Sequence, residues 1–505
     1  MILPQEVSNI IIKLQNTGFE SYIVGGCVRD SLLKKKPNDW DVATAARPEE
    51  IQKLFPDSVY ENQFGTVLIK TESSDPSLKI IEVTTFRQER KYSDKRHPDE
   101  VKFAHTIEED LKRRDFTVNA IALAFKDKEL THKESKGNYN FPDSSYEIID
   151  PFDGQKDLKS KLIRTAGNPK ERFSEDALRL MRAVRFACQL DFQIEEKTLQ
   201  AITENASLLQ YIAQERIRDE FIKIMQTSQA AEGILLLYKT NLLHQFLPEL
   251  EKGVNITQNK HHIYTVWEHL WRSLDYAAKK NYSLEVRLAA LLHDIGKPYV
   301  KIGEGENSTF YNHEAKGAYL ANKIFSRLHF SNQQSEKILK LIRYHGFVYD
   351  PEITTDAAIR RLLKKVGSEN ITELAQVREA DRIGSGCPKA IPFRLRYFLF
   401  RIEKVSKQLK GEEPSLKMLA LNGNDIIKML QITPGPQVGT LLNILLEEVL
   451  DDPEKNEKKY LEKKAKELNK LSKEDIAALN QKAKQKYENL LEEREEIIKK
   501  KYHVN

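Results

Sequence analysis

The stretch YIVGGCVRDSLLKKKPNDWDVAT, Tyr22–Thr44, decides the fold. A β-rich run ends in Gly25 and Gly26, VRDSLL opens a helix, and Asp39 and Asp41 then stand two apart at the head of another β-rich run. Glycines at a strand-to-helix junction let backbone N–H groups approach a phosphate chain, and the helix start adds positive potential. No GK[ST] follows, which excludes a Walker A loop. Arg29 is placed to clamp a phosphate oxygen. Residues i and i+2 of a strand share a face. Asp39 and Asp41 are therefore expected to present two carboxylates on one side, a donor set that suits Mg²⁺ and substrate phosphates. Either feature alone is more often a plain turn; together they outline a site.

Outward from this stretch, TVLIKT and KIIEVTTF read as further strands, and RPEEIQKLF and TIEEDLKRRDFTVNAIAL as helices. The second of these helices places Arg113 and Arg114 before an aspartate and adds phosphate-binding potential. Between them, RQERKYSDKRHPDEVKF is polar, carries Lys91, Lys95 and Arg96, and reads as a mobile loop. DPFDGQKDLKSKLI is rich in turn residues and reads as a hinge, and from about Ser174 helical periodicity dominates.

RFSEDALRLMRAVRFA spaces Asp176, Arg179, Arg182 and Arg185 three apart, a slowly turning polar stripe on a helix whose other face carries Leu178, Leu180, Met181, Val184 and Phe186. A surface ion-pair ladder is one reading. The other is that a carboxylate beside a guanidinium imitates a base edge. Asp176 can accept from the exocyclic amine of cytosine or adenine while Arg179 donates to the adjacent ring acceptor. Guanine and uracil present the opposite polarity, and a mismatch strands a buried polar group.

A histidine-rich region follows Leu250, through TVWEHLWRSLDYA, LAALLHDIGKP, NHEAKGAYLA, LIRYHGF and READRIGSG. Its candidate metal ligands are His269, His293, Asp294, His313, His345 and Asp381; His261 and His262 fit a structural role. A charged pair after the apolar run LAALL needs compensation, and a metal supplies it.

The chain has 505 residues, enough for three or four domains. It is 40% hydrophobic and 31% charged, with a net charge of +5, which permits a nucleic-acid partner without demanding one. Three distant cysteines, Cys27, Cys188 and Cys387, argue against a disulfide framework or a zinc ribbon. The N-terminal stretch reads as an amphipathic helix rather than a signal peptide, and no apolar run reaches the length of a membrane span, so the cytoplasm is the expected location. The lysine- and glutamate-rich end reads as solvated helices.

GGCVRD…NDWDVAT together with EEDLKRRDFTVNAIAL resembles the class II nucleotidyltransferase head of tRNA CCA-adding enzymes and bacterial poly(A) polymerases, within the DNA polymerase β superfamily. The resemblance implies Mg²⁺ on Asp39 and Asp41, nucleotide contacts from Gly26, Arg29 and Arg114, and a third carboxylate for which Glu82 is the candidate. EDALR resembles the family's EDxxR motif, whose role is to select CTP and ATP, and by the same resemblance Arg182 and Arg185 join Asp176 and Arg179 in the nucleotide site. The polar loop resembles that of enzymes adding the terminal A, which disfavours CC-only addition and leaves full CCA and A-only addition open. The His–Asp constellation resembles the HD phosphohydrolase superfamily, with His313 and His345 as in its two-metal variant and Mg²⁺ or a transition metal as the ion. It leaves open whether this module is catalytic or structural. LNGNDIIKMLQITPGPQVGTLLNILLEEVLDDP resembles the C-terminal segment of HD-containing CCA-adding enzymes, with PGPQVG as a turn opening a helix.

The expected architecture is α+β: a small polymerase-β-like head with a mixed sheet over 1–150, a helical neck for base recognition and RNA binding over 151–254, an HD-type helical domain over 255–400 and a helical tail over 401–505. The expected function is template-independent addition of CCA to tRNA from CTP and ATP. The alternatives are A-only or poly(A) synthesis, an HD-domain nucleotide hydrolase, and a non-catalytic RNA-binding protein. Alarmone synthetase/hydrolases carry the two modules in the reverse order.

Overall fold

The computed structural model describes residues 2–61, 65–90, 100–125, 139–140, 145–259, 263–350, 352–387, 389, 391–410 and 415–504. Lys91, Lys95 and Arg96 of the polar loop, and His261 and His262, lie outside them. The chain divides into two compact units, Met1–Arg343 with Ala380–Cys387, and Tyr344–Glu379 with Pro388–Asn505.

The first unit opens on the amphipathic helix Gln5–Asn16, which buries Val7, Ile10, Ile11 and Leu14, the i, i+3, i+4, i+7 stripe of a core-facing helix. A seven-stranded mixed sheet follows. From one edge its order is Tyr146–Ile149, Ala122–Phe125, Ser21–Val24, Asp41–Thr44, Ile80–Thr85, Thr66–Lys70 and Ser58–Tyr60. All neighbours are antiparallel except Asp41–Thr44 with Ile80–Thr85, which run parallel and set Asp41 opposite Glu82.

Two expected elements, one helix and one hinge, are corrected. TIEEDLKRRDFTVNAIAL is helical only over Ile107–Lys112, capped by Thr106 Oγ1; after a 3₁₀ turn at Thr117–Asn119, Ala122–Phe125 becomes a strand. The apolar IALAF satisfies its backbone between two strands, so sheet pairing overrides helix propensity. The expected hinge DPFDGQKDLKSKLI contains a helix, Gly154–Ser160, flanked by left-handed residues Asp153 and Lys161. Gly154 is required there because a Cβ would lie 2.3 Å from the Thr117 carbonyl. The stretch 87–103, expected as a mobile loop, is corrected at both ends: Arg87–Arg90 and Glu100–Phe103 are strands that pair as an antiparallel ribbon.

Ile2–Leu3 pairs with Tyr139–Asn140, and beyond Gly154–Ser160 the regular elements among the unit's described residues are helices, save the short parallel pair Leu162–Ile163 and Gln193–Ile194 and isolated bridges such as that between Ile302 and Thr309. Leu178–Leu190 is its central neck helix. Val266–Lys279 begins at a Thr265–Glu268 capping box and Leu284–Leu292 at Ser283, both sequence-readable starts. In the second unit, Pro436–Asp451 opens directly after Gly435 and packs Leu441 and Leu445 in a cluster with Ile426, Leu461 and Leu468. The final helix, Lys473–Tyr502, runs for 30 residues. No helix among the described residues is long and apolar enough to cross a membrane.

Candidate active site and metal centre

Gly25 closes the strand Ser21–Val24 with φ +80°, a conformation that glycine alone adopts without strain, and Gly26 begins the helix Gly26–Leu32. Space enforces the choice as well: a Cβ on Gly25 would lie 2.7 Å from Arg114 Nη1 and 3.2 Å from Asp41 Oδ2. The glycine thus lets the head's carboxylate and arginine approach one another across the backbone.

Asp41 is the first residue of its strand, whereas Asp39 sits in a bend just outside it and is exposed. The expectation that both aspartates share a strand face is corrected. The ladder starts at Trp40, whose carbonyl accepts from Glu82 N–H at 3.2 Å, so the chain preceding it is free to turn. Burial drives the Asp41 carboxyl upward, Arg114 pulls it down, and the Glu82 and Asp39 carboxylates push it up again, leaving it at about 7. Glu82 is itself raised, by partial desolvation and then by Glu61 and Asp39. This is a concentration of hard anionic oxygens whose mutual repulsion a divalent cation would relieve. The three carboxylates nevertheless lie further apart than a compact ligand set, unlike the histidine group described below.

The arginines around these acids are held from behind. Asp110, buried, accepts from Arg113 Nε at 2.9 Å and Arg114 Nη2 at 3.4 Å. Arg29 Nη1 donates to Asn119 Oδ1 at 2.7 Å, Asn119 Nδ2 donates to Asp115 Oδ1 at 3.3 Å, and Arg182 Nε donates to Asp115 Oδ2 at 2.7 Å. Burial alone would push Asp115 up, but Arg182 and Arg179 outweigh it and hold it at about 2. Arg179 Nη1 donates to Glu175 at 2.6 Å and its Nη2 to the Arg113 carbonyl at 3.2 Å, so a neck arginine is tied directly to the head's arginine turn.

The stripe expected on one continuous helix is also corrected. Asp176 lies in the break between Pro169–Glu175 and Leu178–Leu190, in extended conformation, and its Oδ1 accepts from Leu178 N–H at 3.0 Å. Arg179 and Arg185 are buried rather than forming an outer polar face. The head and neck residues nonetheless line one cavity of about 510 Å³, which Gly26, Arg29, Asp41, Arg114, Asp176 and Arg182 all reach. Asp39, Arg179 and Arg185 line it too.

Among residues not anticipated from sequence, Asp110 and Asp115 anchor the arginines, and Asn119 links two of them. The signal for Asp110 was present, three and four residues before Arg113 and Arg114 on a helix. Asp115 and Asn119 depend on long-range packing that spacing does not reveal.

The second centre is assembled from helix ends. His269 comes from Val266–Lys279, His293 and Asp294 from the end of Leu284–Leu292, and Asp381 from Ile371–Gly384. All four are buried, and each offers a ligand atom within 4.8 Å of the others. The two Nε2 atoms are 2.8 Å apart, and Asp294 Oδ2 lies 3.1 Å from His269 Nε2 and 3.3 Å from His293 Nε2. Asp381 Oδ1 is 3.4 Å from His269 Nε2. Gly384 makes this approach feasible, since a Cβ would meet Ser273 Oγ at 2.1 Å. Burial pushes the His293 imidazole down, but Asp294 and Asp381 outweigh it and hold it at about 9. Two imidazoles and two carboxylates converging in a dry interior are a donor set for a divalent metal. Lys297, which the sequence reading passed over, reaches Asp294 Oδ2 at 2.6 Å. His313 Nε2 lies 3.3 Å from Asp294 Oδ1. His345 belongs to the second unit, where it is buried.

Three family models match the chain: the poly A polymerase head domain over residues 21–164, the probable RNA and SrmB-binding site of polymerase A over 191–253, and the HD domain over 266–385. The CCA-adding enzyme of Enterococcus faecalis is 34% identical over 90% of this chain and 94% of its own, and that of Lactococcus lactis 32% identical over 90% and 96%. Among solved structures, the Bacillus stearothermophilus CCA-adding enzyme in complex with CTP superposes with a TM-score of 0.57 at 29% identity, covering 92% of this chain and 97% of that one. A tRNA nucleotidyltransferase complexed with a primer tRNA and an incoming ATP analog shares the fold, with a TM-score of 0.52 at 22% identity over 79% of this chain and 99% of that one. With the head, RNA-binding and HD domains all matched and relatives of over 30% identity along nine-tenths of the chain, the chain belongs to the family of CCA-adding enzymes.

Proposed function

We propose that the protein adds CCA to the 3′ end of tRNA from CTP and ATP, releasing pyrophosphate at each step. The observation that carries this reading is the single cavity in which the head's Asp41 and Arg114 meet the neck's Asp176 and Arg182. A pocket lined by both acids and arginines suits a metal-bound triphosphate whose base is recognised by protein side chains. The relative solved with CTP and the one solved with a primer tRNA and an ATP analog support the same substrates.

In this reading the terminal 3′-hydroxyl oxygen bonds to the α-phosphorus as the bond to pyrophosphate breaks. Mg²⁺ held by Asp39 and Asp41 would lower the hydroxyl pKa and neutralise charge on the leaving group. Glu82, opposite Asp41 in register, supports that acid cluster. Arg29 and Arg114 hold triphosphate oxygens, pre-oriented by Asn119 and Asp110. Asp176 accepts from the amine of cytosine or adenine, and Arg179, fixed by Glu175 and the Arg113 carbonyl, donates to the ring. Arg182 and Arg185 complete the nucleotide site. Basic faces of the helices would grip the tRNA backbone by shape, and such a protein works in the cytoplasm.

The buried His269–His293–Asp294–Asp381 group supports a second, accessory activity, metal-dependent phosphohydrolysis. The ion held there would polarise a phosphoryl oxygen, and Lys297 would balance the charge of Asp294.

The test supplies pure protein with tRNA lacking CCA, tRNA ending in CC and an unrelated RNA, each with labelled CTP, ATP, UTP or GTP. Addition of two C and one A, then arrest, supports the reading. Incorporation only on tRNA ending in CC would make it an A-adding enzyme, and long A-tails on any RNA a poly(A) polymerase.

A further inference from the structure

We propose that Phe186 is a positioning residue of the nucleotide site: its ring is the shared, uncharged seat on which Arg29, Arg182 and Arg185 are held at fixed spacing. The inference rests on the nucleotidyl-transfer reading and assigns a residue that the sequence placed on the apolar face of its helix.

The guanidinium carbons of Arg29, Arg182 and Arg185 lie 5.4, 5.3 and 4.2 Å from the Phe186 ring centroid. One of the three comes from the head helix Gly26–Leu32 and two from the neck helix Leu178–Leu190, so the ring spans both elements. All three arginines and Phe186 line the same cavity. Each guanidinium also has one carboxylate: Asp30 at 2.8 Å from Arg29, Asp115 at 2.7 Å from Arg182, and Glu220 at 3.0 Å from Arg185.

Three like charges gathered round one ring, the buried Arg185 among them, repel one another. Arg185 registers this: burial, then Arg182, and further on Arg29 pull it down, Glu220 and Asp115 oppose them, and the balance lies at about 10. Its Nε is buried without a hydrogen-bond partner among the described residues.

A fourth carboxylate among the arginines would relieve the repulsion but would also repel a triphosphate and compete for its metal. An aliphatic side chain would fill the space without attracting the cations. An aromatic face attracts guanidinium through its quadrupole and adds no charge. Phe116, edge-on at 5.6 Å and 77°, fixes the orientation of that face.

The test keeps shape constant and varies the quadrupole. Full-length protein carries 4-fluoro-, 3,5-difluoro- or 3,4,5-trifluorophenylalanine at position 186, with Phe186→Leu and Phe186→Trp alongside. CTP and ATP binding is measured by calorimetry, and KM and kcat by incorporation into tRNA. The expected result is a stepwise rise in Kd and KM with fluorination, reaching about tenfold, with Tm and kcat changing far less. Phe186→Trp should retain affinity, and Phe186→Leu should lose at least as much as the trifluoro variant. Equal Kd across the fluorinated series overturns the proposal, and that series decides the matter if the leucine variant misfolds. A wild-type protein that binds neither nucleotide would remove the nucleotidyl-transfer reading and this inference with it; a wild type that binds both, with a flat series, removes this inference alone.

Discussion

In the proposed function the head cavity and the histidine centre both serve metal and phosphate, yet they are built on opposite plans. The head cavity is wide, with an exposed Asp39 and half-buried Asp41, Arg29 and Arg114 beside buried Arg179 and Arg185, and its three acids do not converge within 4.8 Å. The histidine centre is closed, with four ligand atoms already within 4.8 Å. An open acid cluster among arginines is completed by what it binds: triphosphate and metal arrive together, and Mg²⁺ keeps positions for substrate oxygens. A preassembled imidazole–carboxylate set binds its ion without substrate and suits a transition metal. Under the proposed function, the first plan would serve a site that accepts two nucleotides and a growing RNA end, and the second a resident ion.

The sharpest way to break this comparison is to remove one acid from each centre. Asp41→Ala should lower CTP and ATP incorporation by about a thousandfold or more, since a metal ligand contributes several kcal/mol to the transition state. Its transition-metal content, read by mass spectrometry, should match the wild type. Asp294→Ala should empty the histidine centre of transition metal while incorporation into tRNA continues. A large loss of incorporation in Asp294→Ala with its fold intact would mean that the two centres are one machine.

A second, smaller effect addresses base choice. Asp176 has two tasks: one oxygen caps the neck helix through Leu178 N–H, and the carboxylate faces the cavity. Asp176→Asn keeps an oxygen for the cap but offers an amide, with a donor where the base amine needs an acceptor. Discrimination of CTP and ATP against UTP and GTP, as a ratio of kcat/KM, should fall about tenfold to a hundredfold, as expected for 1–3 kcal/mol of mispaired hydrogen bonding. Stability should change little. Retained selectivity in this variant would assign base choice elsewhere.

Much of this arrangement was legible. The Gly25–Gly26 junction, the arginine pair and the adjacent His293–Asp294 pair are readable because each is a local pattern on or beside a regular element; Asp39 and Asp41 are readable as a pair, but not on the shared strand face expected of them. What was not legible was set by tertiary contacts. IALAF could be helix or strand by periodicity alone, and only pairing with Ser21–Val24 and Tyr146–Ile149 settles it. By sequence alone Asp176 is placed in a helix, because EDALR is a good helical string. It falls instead in a break between two helices, where its side chain is worth more as a cap. Asp115, Asn119 and Phe186 carry no spacing signal at all, since their partners lie on distant segments.

Both plans carry a proton demand, His293 in the histidine centre and Asp41 in the head. Folding raises the Asp41 carboxyl from 3.8 to about 7, so between roughly pH 4 and 7 the folded head holds a proton that the unfolded chain has released. This contribution favours the folded state below pH 4 and is lost as pH rises through 7. Mg²⁺ needs the ionised form and must displace the proton, so its affinity for the head should fall about tenfold per pH unit below 7 and level off above it. The rise in Tm caused by Mg²⁺ should accordingly be larger at pH 8 than at pH 6. Equal shifts at both values would show that Asp41 is ionised in the metal-free protein.

The smallest expected effect tests the glycine that brings the head's acid and arginine together. Gly25→Ala forces an alanine into φ +80° and sets its Cβ against Arg114 Nη1 and Asp41 Oδ2. The backbone strain is of order 1–3 kcal/mol, and a flexible arginine can yield more readily than the strand that carries Asp41. Arg114 should therefore be displaced. KM for both nucleotides should rise several-fold, Tm should drop by a few degrees, and the transition-metal content of the histidine centre should stay the same. Gly296→Ala is the mirror experiment: its Cβ would lie 2.3 Å from the His313 carbonyl oxygen and 2.6 Å from Gly317 N, backbone atoms that cannot swing away. Here Tm should fall further than in Gly25→Ala and metal retention should suffer, while nucleotide KM holds. If both substitutions lowered metal content and raised KM alike, the open and closed centres would share a single cooperative core, and the contrast between them would be one of appearance only.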